Sequence, residues 1–484
     1  MVDYLETGEI YPGKEASAST CVSSAYVIIL SCTLLLLATC SFAITGALVL
    51  ISIWVIIDPK RAVEALVLSL VFRSLNPAIY HYSSSAFVMG WIIIFCAGMR
   101  VLPHLGAAAR QLGILIPLIL FFITIGTLSI FFSYNAAVSI LKLVSFTFAF
   151  LIILVGFNSQ EASLIDEFKK FYFSLIGSLL LLSIPIALLP RAAHYWGAGF
   201  QGMFNNPQTL GVYLAPITSW VTADLVFYKR RAGFFHKSFV ALLWLAMFLS
   251  QCRTGALSVS LSVITMVLVS LCGRGNTDSD YRSKARLAVI SLFLFSFIVV
   301  SLFLSGFLAK GGKSIEQSVQ HSRVEGIAYY WKRFLANPLT GVGFGVEPSR
   351  RFKAVEFFGI PISASTEKLF LPVAILEEVG IIGTLFFCIL LLALANCALR
   401  NPDISLRCVF LSCLLVNLGE FVFFSANSDG LYFLILIGYV LRTSRQDKDV
   451  RSYSLVASDA QYARSRVDQG ACAAVAFRQD NCRF

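Results

Sequence analysis

Leu112-Gly-Ile-Leu-Ile-Pro-Leu-Ile-Leu-Phe-Phe-Ile-Thr-Ile-Gly-Thr-Leu-Ser-Ile-Phe-Phe132 runs for 21 residues without a single charge. As a helix it reaches about 30 Å, the thickness of a bilayer's hydrocarbon core, with every interior backbone group paired within the helix. Its apolar residues are continuous rather than alternating, so it reads as a transmembrane helix and not as a strand of an outer-membrane barrel. Comparable stretches recur on either side, near residues 22–40, 42–57, 62–80, 86–102, 136–156, 168–190, 207–228, 236–250, 253–272, 285–308, 366–398, 405–424 and 428–441. The expected fold is all-α, a polytopic transmembrane helical bundle of about 12–14 spans.

Composition agrees with that reading. Of 484 residues, 57% are hydrophobic and only 13% charged, against about 25% charged in soluble domains; the mean hydropathy is +0.79. The first residues carry Asp3, Glu6, Glu9 and Glu15 and lack the basic start of a secretory signal, so the first apolar run is expected to be retained. The 12 cysteines fall largely within apolar runs (Cys32, Cys40, Cys96, Cys388, Cys413) and read as small buried hydrophobes rather than a disulfide framework.

The expected division is a cytoplasmic N-terminus over 1–21, a membrane bundle over 22–308, one long periplasmic loop over 309–365, further spans over 366–441 and a cytoplasmic tail over 442–484. Orientation follows the excess of Lys and Arg in cytoplasmic loops. Lys60-Arg61, Arg100 with Arg110, Lys169-Lys170, Lys229-Arg230-Arg231 with Lys237, Arg274 to Arg286, and Arg400 with Arg407 share one side of the drawn spans, whereas the loops 81–85, 133–135 and 425–429 hold no Lys or Arg. An even number of spans places both termini in the cytoplasm. The long loop is an exception, with eight Lys and Arg against four Glu on the outer side; either a function needs those cations there, or a long loop crosses regardless of charge.

The five histidines have no metal-ligand spacing, no phosphate-binding lysine loop is present, and Gly341-Val-Gly-Phe-Gly345 lacks the strand and helix of a dinucleotide site. No cofactor, metal or nucleic-acid partner is therefore expected. Cations and polar groups on the outer face are more informative. Arg191 and His194 follow the seventh span, Arg253 sits at the turn Ser250-Gln-Cys-Arg-Thr-Gly255, and Arg323 opens an amphipathic stretch ending in Tyr329-Tyr-Trp-Lys-Arg333. Singly, each arginine is an interfacial side chain with its stem in the apolar layer. Together they suit a phosphate partner, because guanidinium matches phosphate bidentately and keeps its charge.

Four segments resemble the O-antigen ligase and polymerase superfamily, in the order that family shows over residues 170–440. They are Asn205-Asn-Pro-Gln-Thr-Leu-Gly211, Ser250-Gln-Cys-Arg-Thr-Gly255, Arg323 to Trp331 followed by Asn337-Pro-Leu-Thr-Gly-Val-Gly-Phe-Gly345, and Leu376-Glu-Glu-Val-Gly-Ile-Ile-Gly383. The resemblance implies a GT-C-like, metal-independent glycosyltransferase of the bacterial inner membrane, acting at the periplasmic face on undecaprenyl-diphosphate-linked oligosaccharides. Membrane lipid, a polysaccharide chain-length regulator and a flippase are its implied partners. Arg191, Arg253 and Arg323 would then hold the donor diphosphate, with His194, Asn205, Asn206, Lys368, Arg350 and Arg351 as further substrate contacts.

The chain departs from the ligase pattern where a His-Asn pair is expected: counting back from Gly380 lands on Leu369-Phe370. Glu367 stands nearby and could take a proton from an acceptor hydroxyl; alternatively, Glu367 and Lys368 simply flank a helix start. Among charges in apolar runs, Arg73 lies near mid-span and reads as functional or paired. One of Glu377 and Glu378 reads as structural, and Lys142, Asp224 and Glu420 as span-end side chains reaching for water. The preferred expectation is a surface polysaccharide (O-antigen or exopolysaccharide) polymerase. An O-antigen ligase to lipid A core is the alternative within the class, and a lipid-linked oligosaccharide flippase or transporter the alternative outside it.

Overall fold

The computed structural model describes residues 29, 32–37, 42–80, 85–106, 113–195, 199–228, 233–272, 325–346, 355–357, 360–363, 370–420 and 422–445. In chain order the helices are α1 (Ala43–Ile57), α2 (Ala62–Arg73), α3 (Ser85–Val101), α4 (Leu115–Phe132), α5 (Ala136–Ser159), α6 (Ala162–Ile186), α7 (Pro207–Phe227), α8 (Phe234–Ser250), α9 (Arg253–Cys272), α10 (Glu325–Ala336), α11 (Leu371–Ala398) and α12 (Ile404–Gly419). A last helix, α13, covers 429–445. Among the described residues seven helices are long and apolar enough to cross a membrane, and the protein is a multi-pass helical membrane bundle.

The helix limits follow local chemistry. Pro207 opens α7 where its missing N–H costs nothing, and the Asn206 side chain accepts from the Gln208 N–H at 2.8 Å. Asn135 and Asp403 cap α5 and α12 in the same manner. Burial separates central from peripheral helices: α7 is 83% buried over its most apolar window, whereas α4 and α11 are 28% buried. α7 packs against α8, α9 and α12. Between these helices small hydroxyls meet, Ser219 with Ser262 at 2.7 Å and Ser258 with Ser412 at 3.4 Å. Close backbone approach with side-chain hydrogen bonds is how helices associate when lipid offers no hydrophobic contrast.

Three expectations are corrected. The run 62–80 does not form one span, since α2 stops at Arg73 and the chain turns through Leu75, which bridges to Phe204. Among the described residues there is also one strand pair, Val355–Phe357 against Ile360–Ser363, within the segment expected as a long loop, and that segment further contains α10. The span expected to end at 441 continues as helix to 445. The expected N-terminus 1–21, the span 285–308 and the tail beyond 445 lie outside the described residues.

The bundle has two chemically different ends. One holds the turn Pro59–Arg61, the end of α3, the starts of α6 and α8, and the α11–α12 connection, with Lys60, Arg61, Arg100, Lys237, Arg400 and Arg407. Arg61 pairs there with Glu64 at 2.7 Å and with Glu167. The opposite end gathers the ends of α2, α4, α6, α8 and α12 with the starts of α5, α7, α9, α11 and α13.

At that opposite end α11 is broken at Gly380, with φ 64° and ψ −170°. Helical backbone opened inside a bundle must find partners in protein. The segment 337–346 supplies them: the Val342 N–H donates to Glu377 O at 2.9 Å, the Gly343 N–H to Glu378 O at 2.9 Å, and the Ile381 N–H to Pro338 O at 2.8 Å. Phe344 follows into a ring cluster with Phe121 and Phe424. A Cβ at Gly380 would lie 2.3 Å from the Leu339 carbonyl oxygen. Gly380→Ala is expected to destabilise the protein by about 1–3 kcal/mol, measured as a lower thermal unfolding temperature in detergent; an unchanged temperature would mean that the break is not constrained by this contact.

Candidate functional site

A polar cavity of about 300 Å³ opens between the ends of α2 and α12 and the starts of α7 and α13. Its lining includes Arg73, Asn205, Asn206, Gln208, Glu420 and Asp429. Each arrives there for a local reason. Arg73 is the last residue of α2, and Ser74 closes that helix by donating its N–H to Leu70 O. The turn after it is laced to the segment before α7: the Asn76 N–H donates to Met203 O at 2.8 Å, the Asn76 side chain donates to Ala192 O and Gly202 O, and the Asn205 N–H donates to Ser74 O at 2.8 Å. Tyr80 fastens the turn to the first helical piece by donating to Leu34 O at 3.0 Å, and burial pushes its hydroxyl up to about 12.

The Arg73 guanidinium is held by the start of the last helix. Its Nη1 donates to Asn427 O at 3.0 Å and to Asn427 Oδ1 at 2.6 Å, its Nε donates to Ser69 O at 3.0 Å, and the Asn427 amide in turn donates to Phe87 O at 3.1 Å. The expectation that Arg73 lies near mid-span is thereby corrected; it is a helix-terminal residue paired across the bundle. Asp429 stands against the Tyr213 hydroxyl, and the Tyr213 ring stacks on Tyr432 at 4.3 Å. Glu420 ends α12 and accepts from Thr254 Oγ1 at 3.4 Å. Glu420 therefore belongs to the cavity rather than reaching for water as a span-end side chain.

Of the residues chosen from sequence, Asn205 and Asn206 line the cavity. Asn205 Oδ1 is buried and accepts no hydrogen bond from the described residues. Arg253 is the first residue of α9, directly before the Thr254 that reaches Glu420. Arg191 is exposed in the single turn Pro190–Ala193, and His194 Nδ1 lies 3.1 Å from Gly199 O. That short segment joins the α8 end through the Phe200 N–H donating to Leu249 O at 2.9 Å. Arg191, His194, Asn205, Asn206 and Arg253 thus share one end of the bundle. Arg323, Glu367, Lys368, Arg350 and Arg351 lie outside the described residues.

The four motif segments meet in two pairs. Residues 205–211 pack against 250–255 so closely that a Cβ on Gly211 would sit 2.1 Å from Cys252 Cβ. Residues 337–345 dock on 376–383 as described above. Under the second pair both acids are fully buried and both are paired: Glu377 with Arg333 of α10 at 3.0 Å, and Glu378 with Lys142 of α5 at 3.6 Å. Sequence reading marked one acid as structural and sent Lys142 to the interface; the structure instead uses both acids and Lys142 in the interior. Asp224 is likewise not reaching for water, since it accepts from the Ser405 hydroxyl at 2.6 Å.

Sequence reasoning missed the cavity roles of Glu420, Gln208, Asn427 and Asp429. The run Asn427-Ser-Asp429 in a loop without Lys or Arg was the signal available for the last two. Among the described residues no three or more His, Cys, Asp or Glu side chains come together as a metal-binding group. The arrangement offers one guanidinium, two carboxylates and several amides and hydroxyls in a small recess, with Arg191 and Arg253 at the same end. Comparison with family models finds none that matches the chain, and comparison with curated proteins finds no relative.

Asn427 supplies two of the acceptors around a guanidinium, and hydrogen bonds to charged groups contribute about 1.5–3 kcal/mol. Asn427→Ala should therefore lower stability by about 2 kcal/mol, seen as a loss of thermal stability that Asn427→Asp restores in part. Equal melting of all three proteins would show that the tie does not hold this end together.

Proposed function

We propose that the protein is a bacterial surface polysaccharide polymerase of GT-C-like architecture, joining undecaprenyl-diphosphate-linked repeat units at the periplasmic face of the inner membrane. The observation that carries this reading is the convergence, at one end of the bundle, of the motif segments 205–211 and 250–255 with the polar cavity, alongside the packed pair 337–345 and 376–383. Weak motifs gain meaning when segments far apart in sequence build one place.

Orientation follows from charge. The end carrying Lys60, Arg61, Arg100, Lys237, Arg400 and Arg407 faces the cytoplasm by the positive-inside rule, which puts the cavity, Arg191 and Arg253 on the periplasmic side and both termini in the cytoplasm. Residues 309–365 then lie on the periplasmic side. Membrane lipid surrounds the bundle, and a flippase and a chain-length regulator are the partners such a reaction calls for.

In the reaction, the acceptor hydroxyl oxygen attacks the anomeric carbon of the donor sugar. The bond from that carbon to the diphosphate oxygen breaks, its electron pair stays on the diphosphate, and the acceptor proton passes to a base. Arg191 and Arg253 offset the charge that grows on the leaving diphosphate, which is where fixed cations lower a barrier most.

Purified protein in nanodiscs, supplied with synthetic undecaprenyl-diphosphate oligosaccharide, should give a ladder of lengthened products. Arg253→Ala should slow the ladder about 100-fold with membrane abundance and melting unchanged. Transbilayer movement of unaltered substrate, with no product of increased length, would replace the polymerase by a transporter.

A further inference from the structure

The cavity is too acidic for the diphosphate. Its ionisable side chains are one guanidinium, Arg73, against two carboxyl groups, Glu420 and Asp429. Much of that cation's hydrogen-bonding capacity is already directed to Asn427 and Ser69. A polyanion brought into this recess would face like charge at close range, and such juxtapositions cost several kcal/mol.

Everything else in the lining suits hydroxyl groups. A hydroxyl donates one hydrogen bond and accepts others, so it needs acceptors and donors side by side. Glu420 and Asp429 bring carboxyl acceptors, and the Asn205, Asn206, Gln208 and Ser428 side chains are donors as well as acceptors. The size agrees, since about 300 Å³ is the lower limit of small-molecule sites and admits a sugar ring rather than a length of polymer.

We infer that this cavity is a monosaccharide subsite: it takes one uncharged sugar ring, the terminal residue of the acceptor, and keeps the diphosphate outside, at the exposed cations. The inference deepens the polymerase reading and rests on it for the word acceptor. The sugar-binding claim itself stands on the lining alone. Within the subsite Glu420 accepts the proton of the attacking hydroxyl, because it is the carboxylate linked through Thr254 to the helix that begins with Arg253. The proton lost by the acceptor oxygen goes to the Glu420 carboxylate as the new glycosidic bond forms.

The test is saturation-transfer NMR on the full-length protein in nanodiscs, using methyl glucopyranoside, galactopyranoside and mannopyranoside as probes and inorganic pyrophosphate as competitor. At least one glycoside should bind, and pyrophosphate should not displace it. Gln208→Ala, at the exposed mouth, and Asp429→Asn should each weaken binding about tenfold, the effect of losing one good hydrogen bond, while Lys237→Ala at the other end should not. Absence of binding by all three glycosides, displacement by pyrophosphate, or undiminished binding in Gln208→Ala would overturn the subsite. Glycoside binding without any product ladder would remove the polymerase reading and leave the sugar subsite standing. A ladder whose acceptor KM is unmoved by Gln208→Ala would do the reverse.

Discussion

Arg73 is carried into an apolar bundle on a helix of only 12 residues, and its charge has to be answered there by protein. An ionisable group turned into such a bundle is tolerated when it is paired or lines a polar cavity, and Arg73 does both. Its partner, Asn427, lies just ahead of the last helix and is itself anchored to the Phe87 carbonyl. One guanidinium thereby joins the end of α2, the start of α3 and the start of α13. The turn that follows Arg73 is tied in turn to the segment leading into α7 through Asn76 and Asn205. The cavity is the space these ties leave between four helix ends.

The buried acids of α11 obey the same rule in another place. Glu377 and Glu378 have no exposure, and each meets a cation from a different part of the chain. Breaking such a pair by removing one member costs about 3–5 kcal/mol, because a buried charge is left behind. The pairs hold α10 and the start of α5 against the broken helix, while backbone bonds from 337–346 satisfy the groups freed at Gly380. The buried ion pairs of α11 thus lie at the end where the irregular segments are. At the other end Arg61 ties the buried Glu64 to the more exposed Glu167, and the buried Asp224 accepts from Ser405.

This division of labour bears on the reaction proposed. A transfer between two lipid-linked sugars needs somewhere to place an uncharged ring and somewhere else to hold a polyanion, close enough that one bond can form as another breaks. In the proposed reaction the recess with Glu420 and Asp429 would serve the first need, and the exposed Arg191 and Arg253 at the same end the second. Separating the two by charge would also limit unproductive binding of a diphosphate in the proposed sugar recess.

Hydropathy alone determined the helical membrane class and most helix limits. Runs such as 115–132 admit no other backbone solution in lipid, and α3, α4, α5, α7, α8, α9 and α11 all fall within a few residues of the runs expected. Sequence also singled out Asn205, Asn206, Arg191 and Arg253, which the fold brings to one end, because polar residues next to apolar runs stand out against their neighbours. It could not tell a helix-terminal charge from a mid-span one, so Arg73 was misplaced, and it could not show that Glu420 and Asp429 face the same space from either side of a loop. Only tertiary structure decided those, since pairing between residues 354 positions apart, as for Arg73 and Asn427, leaves no periodic trace in the chain. What a side chain does in a membrane interior depends on which distant group neutralises it, and that is fixed by packing.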